Sequence, residues 1–183
     1  AGPLAALTAA GKDLGGEVET ATAILAEAFE KEKAVVEAIA ACKTPSMEQL
    51  QALVGPVGEV LGKANAKTEG RRTDGFNHFK ATAEALQALT WVVWTGKDCG
   101  MSFPAVHVED MWQGAEFYTN KILMQYKTSE PKHVTWVKAM KELFMQLKAY
   151  CKEYHTAGPA WNPKGVDAGS FKAGGGGGAP TPP

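Results

Sequence analysis

Several features that define specialised classes of protein are missing from this 183-residue chain. Its formal net charge is -1 and it contains no long Lys or Arg run, which argues against a nucleic-acid-binding protein. No apolar run approaches the roughly 18 residues of a membrane span. The opening AGPLAALTAAG lacks the basic start and long apolar centre of a signal peptide, and because the first residue is not Met we expect a fragment of a longer protein.

Cysteine is scarce as well. The three residues, Cys42, Cys99 and Cys151, are odd in number, far apart and without a CxxC pair. This pattern indicates neither a disulfide framework nor a zinc knuckle. A reducing, cytoplasmic setting fits it best.

Arrangements that would support catalysis or metal binding are weak. Cys151 and His155 lie four residues apart on one predicted helix, but no third group completes a nucleophilic site. His107 and Asp110 have one-turn spacing, yet two ligands are too few for a metal and HExxH is absent, so a surface pair is the better interpretation. We therefore expect no enzyme, metal site or cofactor. The alternative, a small helical enzyme, would need a polar pocket with perturbed ionisable groups.

What the sequence does contain is a repeated amphipathic pattern. Apolar residues recur at three-and-four spacing, and the segments that carry them are joined by short connections. No alternating strand pattern accompanies them. The predicted helices span residues 3–14, 18–42, 45–67, 76–94, 106–127 and 131–155. We therefore predict an all-α fold, an antiparallel up-and-down bundle of about six helices.

Local signals refine this prediction. Ser46 and Gln49 have the spacing of a capping box at the start of the third helix. Pro56 lies inside that helix and predicts a kink. Thr73 or Asp74 is the expected cap of the fourth helix. The charged residues of the second helix are expected to form a solvated face.

The composition changes sharply after Gly165. The C-terminal run AGGGGGAPTPP cannot contribute to a core, and its glycines and prolines are typical of a linker. We predict a helical bundle domain over residues 1–165 and a Gly/Pro-rich flexible linker over residues 166–183.

The fifth helix carries apolar side chains on two faces. One face is expected in the core, and its members are Val108, Met111, Trp112, Ala115, Thr119, Ile122, Leu123 and Tyr126. Phe117 and Met124, with Gly114 and Lys121 beside them, point roughly the opposite way. Either a second neighbouring helix covers them, or they form an exposed partner surface with an aromatic ring beside a charge.

The segment after the last helix, YHTAGPAWNPKG, places an aromatic ring and a basic residue on irregular backbone. Trp161 could fold back as a plug over the end of the bundle, which would leave Lys164 at the rim. An interaction loop on a rigid scaffold would have the same sequence features.

Specific motifs in the second half of the chain resemble a known family. GAEFYTNKIL at residues 114–123, VTWV at residues 134–137 and the WNPKG of the tail are similar in order and spacing to the N-terminal helical domain of the cyclase-associated proteins, which are adenylyl cyclase-associated actin regulators. The resemblance covers about residues 4–165. The departures from the family are Gly114, Lys121 and Pro159, where Ser, Arg and an aliphatic residue are usual.

The resemblance implies a six-helix bundle that forms a homodimer and binds actin together with cofilin in the cytoplasm, at the actin cytoskeleton. It also implies that the domain promotes disassembly of cofilin-decorated filaments and recycling of monomers. In the family, adenylyl cyclase and profilin engage segments outside this domain, so we expect neither to bind this chain directly. The alternative is a dimerising scaffold that links cyclase or other signalling partners to the cytoskeleton without direct actin contact.

The residues and the resemblance together predict a partner-binding surface on the fifth helix and the tail. Its expected members are Phe117, Asn120, Lys121, Met124, Lys127, Trp161, Asn162 and Lys164. Tyr118 matches the family motif too, but its helical phase turns it toward the core, so we expect it to pack.

Overall fold

The computed structural model describes residues 2–173 and shows six α-helices packed as a bundle. Their bounds are α1 Pro3–Leu14, α2 Gly16–Ala41, α3 Met47–Ala66, α4 Phe76–Leu86, α5 Pro104–Tyr126 and α6 Lys132–Tyr154, with short 3-10 helices at Gln87–Val93 and Ala168–Ser170. Consecutive helices contact each other, and α1 also packs against α6, which closes the bundle. The described residues contain no strand, so the predicted all-α up-and-down bundle is confirmed.

Proline and capping signals position two of the helices. The predicted capping box forms, because the Gln49 N–H donates to Ser46 Oγ at 3.2 Å and the Ser46 N–H donates to Gln49 Oε1 at 3.0 Å. α5 begins earlier than predicted, at Pro104, since proline suits the first helical turn. Pro56 lies inside α3, which continues through it, and the kink expected there stays a prediction.

The predicted cap of α4 is wrong. Its N-cap residue is Gly75, which has no side chain to cap the helix. The Glu17 carboxylate of α2 reaches this turn instead and accepts hydrogen bonds from the Gly75 N–H at 3.3 Å and from the Thr73 hydroxyl. A Cβ at position 75 would lie 2.6 Å from Glu17 Cβ, so the contact favours glycine. A tertiary contact therefore takes the place of a cap from Thr73 or Asp74.

The predicted fourth helix is too long as an α-helix. α4 ends at Leu86, and the chain continues as the first 3-10 helix. The Gln87 carbonyl, which would accept an α-helical hydrogen bond, instead accepts the Thr90 hydroxyl at 2.7 Å and lies 3.1 Å from His107 Nε2. This competition for the carbonyl favours the tighter winding, which buries Trp91 completely.

Large aromatic side chains fill the centre of the bundle. The biggest fully buried rings are Trp91, Trp112, Trp136 and Phe144. Trp112 stacks on Phe144 with ring centroids 5.6 Å apart, and Phe29 meets Phe144 edge-on at 5.5 Å. These rings come from α2, α5 and α6, so one core joins the three helices. The core also fixes which side chains of α5 point outward.

One charged residue of α2 departs from the expected solvated face. Glu32 is 3% exposed, and neither of its carboxylate oxygens has a hydrogen-bond partner among the described residues. Burial raises the pKa of Glu32 well above 4.5. Burial, together with the charge of Glu32, raises the pKa of the Cys151 thiol to about 12. For Glu32 the expectation was wrong, because this turn of α2 faces the interior.

The chain after α6 returns across the end of α2 as residues 161–171, named here the return segment. The Asn162 N–H donates to the Cys42 carbonyl at 2.8 Å, and the Val166 N–H donates to the Ala41 carbonyl at 3.0 Å. These bonds fix the return segment to the last turn of α2.

The packed part of the chain extends beyond the predicted domain boundary at Gly165. Ala168 is buried, and Phe171 packs against the same small cluster at the end of α2. A Cβ at position 165 would lie 2.3 Å from the Ala41 carbonyl oxygen, so the close approach of the two backbones depends on glycine. The rest of the predicted linker, residues 174–183, lies outside the described residues.

Candidate partner-binding surface

α5 buries the face that its periodicity predicts. The fully buried members of this face are Val108, Trp112, Ala115, Thr119 and Ile122. The partly buried members are Met111, Leu123 and Tyr126. α5 packs against both α4 and α6, so this stripe lies in the angle between its two neighbours. The predicted core face is confirmed.

The opposite side of α5 is open. Phe117 is 59% exposed and Met124 is 87% exposed, although both are large apolar side chains. The idea that a second neighbouring helix covers these two residues is therefore wrong for the described part of the chain. Lys121 is exposed between them, and its Nζ lies 4.4 Å from the centroid of the Phe117 ring.

Four side chains form what we call the aromatic–lysine cluster: Lys80, Phe117, Tyr118 and Lys121. The Tyr118 ring meets Phe117 edge-on at 5.0 Å and lies 5.5 Å from Lys121 Nζ and 5.7 Å from Lys80 Nζ. Tyr118 is half-buried against the core, as its helical phase predicts, but it also presents its ring to two ammonium groups. Each exposed cation–π contact contributes about 0.5–1 kcal/mol, enough to bias the side-chain conformations before a partner arrives.

Asn120 and Lys127 lie nearer to α6 than Phe117 does, and Met124 stands at the border between the open side and α6. They line a groove of about 680 Å³ between α5 and α6, the α5–α6 groove. Val134 and Val137 of α6 contribute apolar surface to the same groove. The predicted α5 residues therefore face two neighbouring surfaces rather than one.

The predicted tail residues are tied to the bundle. Trp161 is half-buried and packs against both the main core and the cluster at the end of α2, which is the plug arrangement. Asn162 Nδ2 donates to the Ala40 carbonyl at 3.2 Å, and Asn162 Oδ1 accepts the Lys164 N–H at 2.9 Å. The Lys164 side chain stays exposed at the rim.

The tail residues and the end of α5 lie at opposite ends of the bundle. Tyr126, the last residue of α5, lines a small cavity with Glu17, which belongs to the first turn of α2. Asn162 instead bonds to Cys42, just after α2 ends. Because α2 has 26 residues, its two ends are about 39 Å apart. The eight predicted residues therefore do not form one continuous patch, and their role in partner binding stays a prediction.

The geometry disfavours the Cys151 and His155 pair as a catalytic site. His155 Nδ1 accepts the Ala160 N–H at 3.0 Å, and His155 Nε2 lies 3.2 Å from the Tyr150 hydroxyl. Burial lowers the pKa of His155 to about 4, while the thiol pKa of Cys151 is about 12. At neutral pH the pair therefore consists of a thiol and a neutral imidazole that is already hydrogen-bonded elsewhere. His155 closes the end of α6 and holds the start of the tail.

His107 does not turn toward Asp110. Its Nε2 lies 2.7 Å from the Thr90 hydroxyl and holds the 3-10 helix, so the proposed surface pair does not form through that nitrogen. Within residues 2–173, no group of three or more His, Cys, Asp or Glu side chains has an arrangement that could hold a metal ion. None of the helices in this part of the chain is long and apolar enough to cross a membrane.

Sequence reasoning missed the α6 side of the groove. Val134, Val137, Lys138 and Lys141 line it. Their spacing places them on one stripe of α6, which is the signal that could have found them. Val137 also belongs to the core, where it is 6% exposed, so the pattern of α6 alone assigns it to packing. The periodicity of one helix does not reveal which residues of a neighbouring helix form a groove with it.

Relatives of known name match most of the chain. This chain is 48% identical to Cyclase-associated protein 1 of Arabidopsis thaliana over 164 residues. The match covers 89% of this chain and 34% of the relative. It is 34% identical over 166 residues to Adenylyl cyclase-associated protein 1 of Homo sapiens, covering 90% of this chain and 34% of the relative. The chain thus spans about a third of the length of the curated relatives it matches.

Solved structures show the same fold. One is a crystal structure of the N-terminal domain of CAP described as indicating variable oligomerisation, with a TM-score of 0.82 and 34% identity over 91% of this chain and 87% of that chain. Another is the N-terminal domain of the adenylyl cyclase-associated protein (CAP) from Dictyostelium discoideum, with a TM-score of 0.81 and 34% identity over 91% and 92%. The family model described as "CAP, N-terminal domain" matches residues 1–158. Sequence and fold therefore agree that this chain belongs to the family of CAP N-terminal domains.

Proposed function

We propose that this chain is an actin-regulatory module that binds actin together with cofilin and promotes disassembly of cofilin-decorated filaments and recycling of monomers. The observation that carries the proposal is the exposed pair of Phe117 and Lys121 on a helix whose other side is fixed in the core. A large exposed aromatic ring beside a cation is typical of residues that dominate binding at protein interfaces. The motif GAEFYTNKIL, which links the chain to this function, contains both residues.

The mechanism requires differential affinity. A rigid bundle accelerates subunit release when it binds the geometry of the departing actin subunit more tightly than the geometry of the filament. A domain that bound both states equally would leave the rate of shortening unchanged. The buried aromatic core supports this role, because it packs α5 against α6 and so determines which face of α5 points outward.

The proposed setting is the cytoplasm, at the actin cytoskeleton. The named relatives are about three times longer than this chain, since the match covers 34% of their length. As the resemblance to the family implies, adenylyl cyclase and profilin bind segments other than this bundle, and neither is proposed as a direct partner here.

The decisive experiment measures the shortening rate of single cofilin-decorated actin filaments with and without the chain. We expect acceleration by the wild type and a much smaller effect for the double variant Phe117→Ala, Lys121→Ala. Lys33→Ala is the matched control, because Lys33 is exposed on α2. No acceleration by the wild type over cofilin alone would overturn the function. Equal acceleration by the double variant would overturn only the assignment of the site.

A second candidate is a dimerising scaffold without direct actin contact. The observation that favours it is the structural relative described as indicating variable oligomerisation. Mass measurement in solution over a range of concentrations tests whether this chain forms a homodimer. Cosedimentation with cofilin-decorated filaments then separates the two candidates, because a pure scaffold would remain in the supernatant.

A further inference from the structure

The α5–α6 groove has an apolar floor. Leu123 from α5 and Val134 from α6 line it, together with Trp112 and Val137 of the core. Met124 stands at its edge and is 87% exposed, which is unusual for a methionine on a well-packed helix. Methionine adapts its shape to different partners and is frequent on surfaces that receive helices. The groove therefore offers apolar surface that the described part of the chain does not cover.

The rim of the groove is basic. Lys127, Lys138 and Lys141 line it, and the carboxylate beside them belongs to Glu116. Glu116 Oε2 lies 3.6 Å from Lys141 Nζ, so the charges of these two side chains largely cancel. Lys127 and Lys138 form no ion pair with any carboxylate in the described residues. Two ammonium groups that form no direct ion pair thus flank the apolar floor, and a matching occupant needs carboxylates at its edges.

The shape of the groove fits a helix. Its α5 wall runs from Trp112 to Lys127, about 22 Å at the rise of an α-helix. Its α6 wall runs from Val134 to Lys141, about 11 Å. Two adjacent helices form a seam in which a third helix can pack its own side-chain ridges. A partner helix of about four turns would cover the longer wall.

We propose that the α5–α6 groove binds an amphipathic helix of a partner protein, with an apolar stripe flanked by Asp and Glu. The chain's own segment GGGGGAPTPP, residues 174–183, has no acidic and no large apolar residue, so its composition does not match the groove. The inference goes beyond the proposed function, because it does not require the helix to belong to actin or cofilin.

The test uses the whole 183-residue chain and two fluorescent helical peptides of about 15 residues. Both carry Leu at helical three-and-four spacing; one has Glu and the other Lys beside the stripe. Fluorescence anisotropy should show binding of the Glu peptide and affinity roughly tenfold weaker or less for the Lys peptide. The variant Lys127→Glu, Lys138→Glu should weaken the Glu peptide by roughly tenfold or more. Lys31→Glu, Lys33→Glu on α2 is the control of equal charge change.

The outcomes separate the possible occupants. Equal affinity for both peptides, or equal loss in the α2 control, would overturn the proposal. Loss of self-association in Met124→Asp, without any binding of the Glu peptide, would overturn it in favour of a second copy of this chain. Circular dichroism and thermal melting confirm that each variant is folded. Filament shortening is measured on the same variants. Lost peptide binding with normal shortening would show that the groove is not needed for the proposed function. Normal peptide binding without any acceleration of shortening would contradict the proposed function and leave the helix-binding proposal standing.

Discussion

His78 and His133, from α4 and α6, are joined by a buried contact of 2.9 Å between Nε2 of the first ring and Nδ1 of the second. His133 Nε2 lies 3.1 Å from a carboxylate oxygen of Glu130 and donates to it. His133 Nδ1 is then the acceptor of the His78 Nε2–H. The remaining nitrogen of His78, Nδ1, is buried and has no partner among the described residues. A second proton on His78 would have no acceptor.

Acid should therefore destabilise the bundle through its buried histidines. Burial, reinforced by His133, lowers the pKa of His78 from 6.5 to about 4, and burial does the same for His155. Because the unfolded chain binds these protons first, the contribution of His78 and His155 to stability is full above pH 6.5 and is lost between pH 6.5 and about 4. Urea unfolding across this range should show a shallower fall for His78→Gln, which keeps a donor but does not titrate. An unchanged slope would contradict the assignment.

Glu32 should change the pH dependence of stability in the opposite direction to the two histidines. Its pKa is raised by burial, so the unfolded chain loses this proton first as the pH rises above 4.5 and stability is lost there. Glu32→Gln removes the titration while keeping the shape. We expect the variant to be more stable than the wild type at neutral pH, with the difference shrinking toward pH 4.5. Glu30→Gln makes the same chemical change on the exposed side of the same helix and is the control; an equal effect of the two variants would contradict the role of burial.

Phe117 should matter for binding and not for folding. It is 59% exposed and the change removes its contacts with Tyr118 and Lys121, so Phe117→Ala should lower the free energy of unfolding by about 1 kcal/mol or less. If it contacts the partner as proposed, the same change should weaken binding to cofilin-decorated actin by about tenfold. Chemical denaturation and cosedimentation measure the two effects separately. A large loss of stability would show that the ring supports the fold instead.

Two glycines should respond to alanine with opposite signs. Gly165→Ala places a Cβ 2.3 Å from the Ala41 carbonyl oxygen, which should destabilise the bundle by about 1–3 kcal/mol. Gly62→Ala adds a methyl group at an exposed position inside α3, where no atom from another part of the chain lies within 4 Å, and should stabilise the bundle by about 1 kcal/mol. Thermal unfolding of both variants compares them directly. A neutral result at position 165 would mean that the return segment is not held as described.

The sequence allowed prediction of what depends on a single helix. The buried stripe of α5 follows from periodicity, and the capping box of Ser46 and Gln49 follows from residues three positions apart. The exposure of Phe117 could be named as one of two alternatives, but not decided. The choice depends on whether another helix lies there, which is a property of the whole bundle.

Features that join distant parts of the chain could not be predicted. Glu17 reaches Gly75 across 58 positions, so no local signal marks it as the group that holds α4. Glutamate is usually exposed to solvent, and the burial of Glu32 depends on how the other helices pack around it. The α5–α6 groove needs two stripes from two helices. Val134 and Val137 lie in the motif VTWV, but that motif does not show that they line a groove with α5.

The bonds that hold the return segment at the end of α2 also determine how the domain can be handled. Anything joined beyond Phe171 is anchored near that end, away from Lys127 and the last turns of α5. A solid support coupled at Phe171 would therefore lie at the end of the bundle away from Lys127 and would leave the end of the groove at Lys127 accessible. The same geometry makes the C-terminal side suitable for a fluorophore that must not obstruct an incoming helix.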